Sequence, residues 1–177
     1  MKMKKTRGII YLQLILSTFF LTVLDQWTKH LAVTHLQNQS DISLIDGVLS
    51  LHYLENRGAA FGVFQNRQGA FFILTVVILA FILYVLWRMP VTKKYLPVRI
   101  LCFFLTSGAL GNLIDRIRFK YVIDFIYFSL IDFPVFNVAD IYVVVACILF
   151  ILLMLFYYKE EELGQIFPFM KNKKAEE

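Results

Sequence analysis

The chain has 177 residues, of which 59% are hydrophobic, and its formal net charge is +5. With a mean hydropathy of +0.65, it lacks the polar surface that a water-soluble domain of this size needs, so the lipid bilayer must be part of its solvent. A nucleic-acid partner is the weaker reading of that charge, because no basic patch is interleaved with exposed aromatics on a soluble face.

Four apolar stretches approach the ~20 residues that cross a hydrocarbon core as a helix. They are Ile9–Leu24, Gly69–Trp87, Val98–Ile114 and Ile141–Tyr158. With flanks added, they predict helices over about 9–31, 69–88, 97–117 and 138–158. The first stretch has the basic start of a secretory signal, but it is long for one. No Ala-x-Ala site follows before Asp25 and Lys29, so a retained helix is predicted. Asp25 and Lys29 stand in i, i+4 register with the acid first, which predicts a stabilising ion pair at the outer rim.

Between about 36 and 68 lies the one sizeable segment outside the spans. Its stretch Ile42–Leu54 alternates imperfectly around Asp46-Gly47, a pair suited to the positive φ angles of a two-residue turn. A small apolar β-ribbon on the membrane surface is expected. The run Glu55-Asn56-Arg57-Gly58-Ala59-Ala60-Phe61-Gly62 then offers either close backbone approach to a partner or a tight loop into the second helix. The connection from Arg88 to Pro97 is short and basic. The charged tail, 159–177, is expected to be solvated and mobile. No linker or repeat divides the chain, so residues 1–177 read as one membrane domain. The expected fold class is an all-α integral membrane protein, with four transmembrane helices and a small extracytoplasmic β-ribbon.

Basic residues set the expected orientation. The N-terminus (Lys2, Lys4, Lys5, Arg7), the second connection (Arg88, Lys93, Lys94, Arg99) and the tail (Lys159, Lys171, Lys173, Lys174) hold twelve of the eighteen. The positive-inside bias then puts both termini in the cytoplasm and the other two connections outside.

All seven aspartates fall at or beyond the outer ends of the apolar segments. Carboxylates at a bilayer boundary are costly, so concentrating them on one side points to use. At the end of the third helix, Gly108, Asn112 and Asp115 recur on one face, followed by Arg116. Ser107 and Gly111 have the small-x-x-x-small spacing of a close helix contact. At the start of the fourth helix, Asn137 and Asp140 have capping-box spacing, which accounts for Asp140 without chemistry. Asp115 and Asp124 must nevertheless lie close by, and a cap needs no second carboxylate.

Cys102 and Cys147 fall inside predicted spans and read as space-filling thiols. His30, His35 and His52 have no metal-ligand spacing. Two carboxyl groups at one site share a proton, because their repulsion and desolvation raise one pKa. Such a pair can activate a water against a carbonyl and protonate a leaving amide nitrogen. Two other chemistries remain open on the residues alone. One is a lipid phosphotransferase with magnesium on Asp115, Asp124 and Asp140. The other is a proton-coupled carrier, although carriers place carboxylates nearer the midplane.

Five segments together resemble the lipoprotein signal peptidase (signal peptidase II) family. They are Asp25-Gln26-Trp27-Thr28-Lys29, Asn56 through Gly62, Gly108 through Arg116, Val122-Ile123-Asp124-Phe125, and Phe133 through Asp140. Ser107 stands where a second glycine is common. The resemblance implies a bacterial inner-membrane aspartic endopeptidase, without metal or organic cofactor. Such an enzyme cuts signal peptides from diacylglyceryl-modified prolipoproteins just before the lipidated cysteine. It implies Asp124 and Asp140 as the catalytic pair; from the residues alone, Asp115 is an equal candidate to partner Asp140. It also implies supporting or substrate-contacting roles for Asp25, Lys29, Asn56, Gly58, Gly108, Asn112, Asp115, Arg116, Asn137 and Ala139. The expected partners are the prolipoprotein and membrane lipid, with no nucleic acid, and the expected state is a monomer.

Overall fold

The computed structural model describes residues 2–58 and 68–167. Among them, four helices are long and apolar enough to span a membrane: α1 (Lys2–Leu36), α2 (Gln68–Arg88), α3 (Leu96–Phe119) and α4 (Val138–Phe156). Their outward faces carry Phe19, Phe20, Ile73, Val77, Ile151 and Leu155, all exposed, as befits helices whose solvent is lipid. Cys102 is buried and Cys147 exposed, and both are free thiols.

Helix α3 is central and packs against α1, α2 and α4. Small residues allow this. A Cβ on Gly108 would lie 2.5 Å from the Ala139 carbonyl oxygen, so α4 touches the α3 backbone. One turn on, a Cβ on Gly111 would collide with the Asp25 carboxylate of α1 and lie 3.3 Å from the Ala139 Cβ. The expected Ser107/Gly111 seam is therefore divided differently: Gly108 admits α4 and Gly111 admits α1. Ser107 is buried, and its hydroxyl donates to the Phe103 carbonyl at 2.7 Å.

At one end lies an antiparallel sheet of β1 (Ile42–Ile45), β2 (Leu49–Asn56) and β3 (Val122–Tyr127), in that order. The ribbon expected from sequence is thus completed by a third strand, drawn from the connection between α3 and α4. Its β1–β2 turn also differs from the expected two-residue form. Residues 46–48 make the connection, the Val48 amide donates to the Ile45 carbonyl at 2.9 Å, and only Gly47 has positive φ (69°). The sheet rests on α1, whose last turns extend beyond the expected end near 31. Ala32 and Leu36 there pack against Ile123 and Phe125 of β3. Asn38, at φ 61°, ends the run.

The opposite end is also closed by packing. Residues expected in a mobile tail form a short helix, α5 (Glu160–Ile166), with Leu163 and Ile166 buried beside Met89, Tyr95 and Tyr158. Two contacts fix it: Lys94 Nζ lies 3.0 Å from a Glu162 carboxylate oxygen, and Tyr95 Oη donates to the Glu162 carbonyl at 3.1 Å. Charge along a tail reads as solvation, yet here one apolar face has a greasy surface to cover. Lys171, Lys173 and Lys174 lie outside the described residues.

Candidate active site

Three elements bring the acidic residues together between the sheet and the helix bundle. Asp124 sits on β3, opposite Leu54 of β2, just past an irregularity in register between Leu51 and Leu54. Asp140 occupies the third position of α4, and Asp115 the last full turn of α3. Asp25, Lys29, Asp115, Asp124 and Asn137 are each at most 1% exposed.

The pair expected at an exposed rim is instead a buried charge cluster. Lys29 Nζ lies 2.9 Å from Asp25 Oδ2 and 2.9 Å from Asp115 Oδ2, and donates to Asn112 Oδ1 at 2.9 Å. All three ammonium protons therefore have acceptors. Asp25 Oδ1 accepts from the Ala139 amide at 2.9 Å, which ties α1 to the first turn of α4. Asp115 Oδ2 also accepts from the Ile123 amide at 3.2 Å, which holds β3 next to Asp124. Sequence reasoning assigned no role to Gln26, whose side-chain amide donates to Asp115 Oδ1 at 2.8 Å and to the Gly111 carbonyl at 3.2 Å. Its place inside the Asp25–Lys29 segment, one residue from Asp25 and on the same face as Lys29, was the signal that could have found it.

From this cluster, amide side chains lead to the two remaining carboxylates. Lys29 can only donate, so the Asn112 oxygen must face it, and the Asn112 NH2 donates to Asp140 Oδ1 at 2.8 Å. Asn137 caps α4. Its oxygen accepts the Asp140 amide at 3.0 Å, so its NH2 points away, donating to Asp124 Oδ1 at 2.6 Å and to Asn112 Oδ1 at 3.1 Å. Asn56 accepts from the Gly58 amide at 3.0 Å and donates to Asp124 Oδ2 at 2.8 Å. The orientation of each amide is thus fixed by a partner of one polarity.

The capping box expected at Asn137 and Asp140 is present, and it leaves room for chemistry. Asp140 Oδ2 accepts from the Asn137 amide at 3.2 Å, while Oδ1 belongs to Asn112. The cap fixes the side chain without consuming both oxygens.

Asp124 and Asp140 open on one cavity of about 610 Å3, whose polar wall includes Asn56, Gly58, Asn112 and Arg116. Its other wall is apolar, formed by residues between Phe128 and Phe136 and by Ile141, Val144 and Val145 of α4. Asp25 and Asp115 do not line it. Arg116 donates to the carbonyls of Gly58 and Asn112, each at 3.3 Å, and its guanidinium lies 4.2 Å from the centre of the Phe71 ring. Burial foremost, and then the charge of Asp140, push the Asp124 carboxyl up to about 7, against the opposing pull of Asn56 and Asn137. Asp124 can therefore carry a proton near neutrality.

Of the predicted residues, Asn56, Gly58, Asn112, Arg116, Asp124 and Asp140 meet at the cavity. Asp25, Lys29, Gly108, Asp115, Asn137 and Ala139 form the layer behind it. Ala59 through Gly62, expected either to approach a partner closely or to form a tight loop into the second helix, lie outside the described residues. With Asp115 held by Lys29, the three carboxylates of a magnesium site do not converge. Among the described residues, no three His, Cys, Asp or Glu side chains gather as a metal site.

Fold and site together are those of a multi-pass membrane enzyme of the aspartic-peptidase class. The signal peptidase (SPase) II family matches residues 17–156, and the chain belongs to that family. It is 38% identical over 150 residues to the lipoprotein signal peptidase of Streptococcus pyogenes serotype M5 (strain Manfredo), covering 85% of this chain and 95% of that one. It is 37% identical over the same length and shares to the enzyme of serotype M3 (strain ATCC BAA-595 / MGAS315). Two solved structures are also similar, each titled as a bacterial membrane enzyme determined by the in meso method. The one at 2.3 Å has a TM-score of 0.72 and 32% identity, covering 81% of this chain and 87% of that one. The one at 1.9 Å has a TM-score of 0.70 and 31% identity, covering 82% and 94%.

Proposed function

We propose that this chain removes the signal peptide from diacylglyceryl-modified prolipoproteins, hydrolysing the bond before the lipidated cysteine with Asp124 and Asp140 as its catalytic pair. The observation that carries the assignment is the shared cavity, in which each oxygen of both carboxylates accepts from an amide of fixed polarity. One carboxyl keeps the proton and polarises the scissile carbonyl, while the ionised partner takes a proton from the attacking water. Collapse of the tetrahedral intermediate breaks the C–N bond, and the amide nitrogen leaves with a proton from the pair.

Asn56, Gly58 and Arg116 act on the substrate side. Asp25, Lys29, Asp115, Gly108, Asn112, Asn137 and Ala139 hold the pair in place. The bilayer delivers a substrate anchored by a signal helix and two acyl chains, so little aqueous binding surface is needed. The enzyme works as one membrane domain and as a monomer in the bacterial cytoplasmic membrane. The distribution of its basic residues supports cytoplasmic termini and an active site at the outer face. No metal takes part.

The test is cleavage of a diacylglyceryl-modified precursor by purified enzyme, with and without chelator. Asp124→Asn and Asp140→Asn are each expected to abolish release of the peptide while leaving the protein folded in membranes. Substantial turnover by either variant removes the assignment, and loss of wild-type activity in chelator revives the magnesium alternative.

A further inference from the structure

Between β3 and α4 the chain makes a short projection that the catalytic reading leaves without a role. Residues Ser129–Ile131 form a single 3-10 turn at its tip. Its base is closed twice by the backbone: the Asp132 amide donates to the Ser129 carbonyl at 3.3 Å, and the Phe133 amide to the Phe128 carbonyl at 3.1 Å. Beneath it Phe136 stacks on Phe128 and meets Phe133 edge-on, each pair of ring centres being 5.8 Å apart. Phe136 is in turn pinned to Ile126 of the sheet by backbone hydrogen bonds. The projection is therefore held rigidly at its base.

Its tip is apolar and uncovered, with Leu130 67% and Ile131 69% exposed. No lysine or arginine occurs between Lys120 and Lys159. The one charged side chain of the projection, Asp132, accepts from the Tyr127 hydroxyl at 2.7 Å. Depth follows from the cavity. Ile131 and Phe133 line the same space as Val144 and Val145. Those valines lie six and seven residues into α4, about 9–10 Å below its first residue at the helical rise. The cavity wall that Ile131 and Phe133 help to form therefore runs on to the second turn of a spanning helix, where Val144 is itself exposed.

We propose that residues 128–133 form a finger inserted among the acyl chains of the leaflet at the Asp124/Asp140 end, where it stands as one side of a lateral opening from the bilayer into the cavity. This deepens the lipoprotein peptidase reading and rests on it for the use of the opening, but insertion itself is independent of catalysis. Lipid is the occupant that fits, since Leu130 and Ile131 gain by leaving water, the finger carries no cation, and its one carboxylate, Asp132, is bonded back to the Tyr127 hydroxyl.

The experiment places a nitroxide at Leu130→Cys in a Cys102→Ser, Cys147→Ser background, reconstituted in phospholipid bilayers. Collision rates with oxygen and with a water-soluble nickel chelate are then compared. Ile73→Cys on the lipid-facing side of α2 is the lipid reference and Asp46→Cys on the hairpin turn the aqueous one. The label at 130 is expected to match 73, with nickel collisions several-fold below those at 46. Nickel accessibility equal to that at 46 overturns the proposal, and so does shielding from both reagents, which would mean protein covers the tip. Ser129→Cys serves as the second position should Leu130→Cys not yield folded protein. Because the readout is depth, failed cleavage assays would sink the enzymatic reading without altering this one.

Discussion

Replacing Asn56 by alanine removes one of the two amide donors on Asp124 and thereby tests the protonation logic of the pair. The Asn56 NH2 donates to Asp124 Oδ2 at 2.8 Å and lowers a carboxyl that burial and Asp140 have raised to about 7. A hydrogen bond to a charged group is worth about 1.5–3 kcal/mol, and one pKa unit corresponds to about 1.4 kcal/mol. Full loss would therefore raise Asp124 by about 1–2 units, and water filling the gap would hold the change near one. Under the proposed mechanism catalysis needs the proton that Asp124 loses as pH rises, so kcat/KM is expected to fall on the alkaline side of about 7 in the native enzyme. In Asn56→Ala that limb is expected to move to about pH 8, while the plateau drops because the Gly58 amide also loses its acceptor. The assay is kcat/KM for a lipidated precursor across the pH range in one detergent. A limb that stays at the native pH or moves to lower pH, with activity still measurable, refutes the argument.

Lys29→Ala leaves two buried carboxylates without their cation, and breaking a buried pair in this way costs about 3–5 kcal/mol. A large fall in the thermal midpoint of the detergent-solubilised protein is expected, and a native-like midpoint would argue against the buried cluster. Gly108→Ala puts a methyl group against the Ala139 carbonyl and is expected to cost about 1–3 kcal/mol by the same measurement, since overpacking a tight seam forces backbone shifts. Ile166→Ala, at a fully buried position of α5, is expected to cost about 2–5 kcal/mol; no change would mean that the helix is not packed on the bundle in solution.

Much of this protein is legible in its sequence because the bilayer simplifies the code. Backbone groups in hydrocarbon must bond internally, so a long apolar run becomes a helix with little competition from alternatives. The four spans, the small residues that let α3 sit centrally, and the cap at Asn137 and Asp140 all follow from local pattern. So does the gathering of carboxylates at one end. Shorter elements were harder to read. Strand β3 is six residues flanked by charge and aromatics, and its pairing with β2 joins segments far apart in the chain. The amphipathic α5 looked like tail because its acidic first turn hides an apolar face of only a few residues.

Tertiary structure alone decided which carboxylates face the cavity. In sequence, Asp115 and Asp124 are equal candidates to partner Asp140, and Asp25 with Lys29 has the spacing of a surface pair. In the folded chain Lys29 lies between Asp25 and Asp115, and its ammonium claims both, so Asp115 turns away from the cavity. Asp124 and Asp140 are left with amide partners and an open space before them. Hydrophobic pattern reports where a chain is buried, but it carries no record of which buried charge meets which. That depends on the packing of α1, α3, α4 and the sheet at one level.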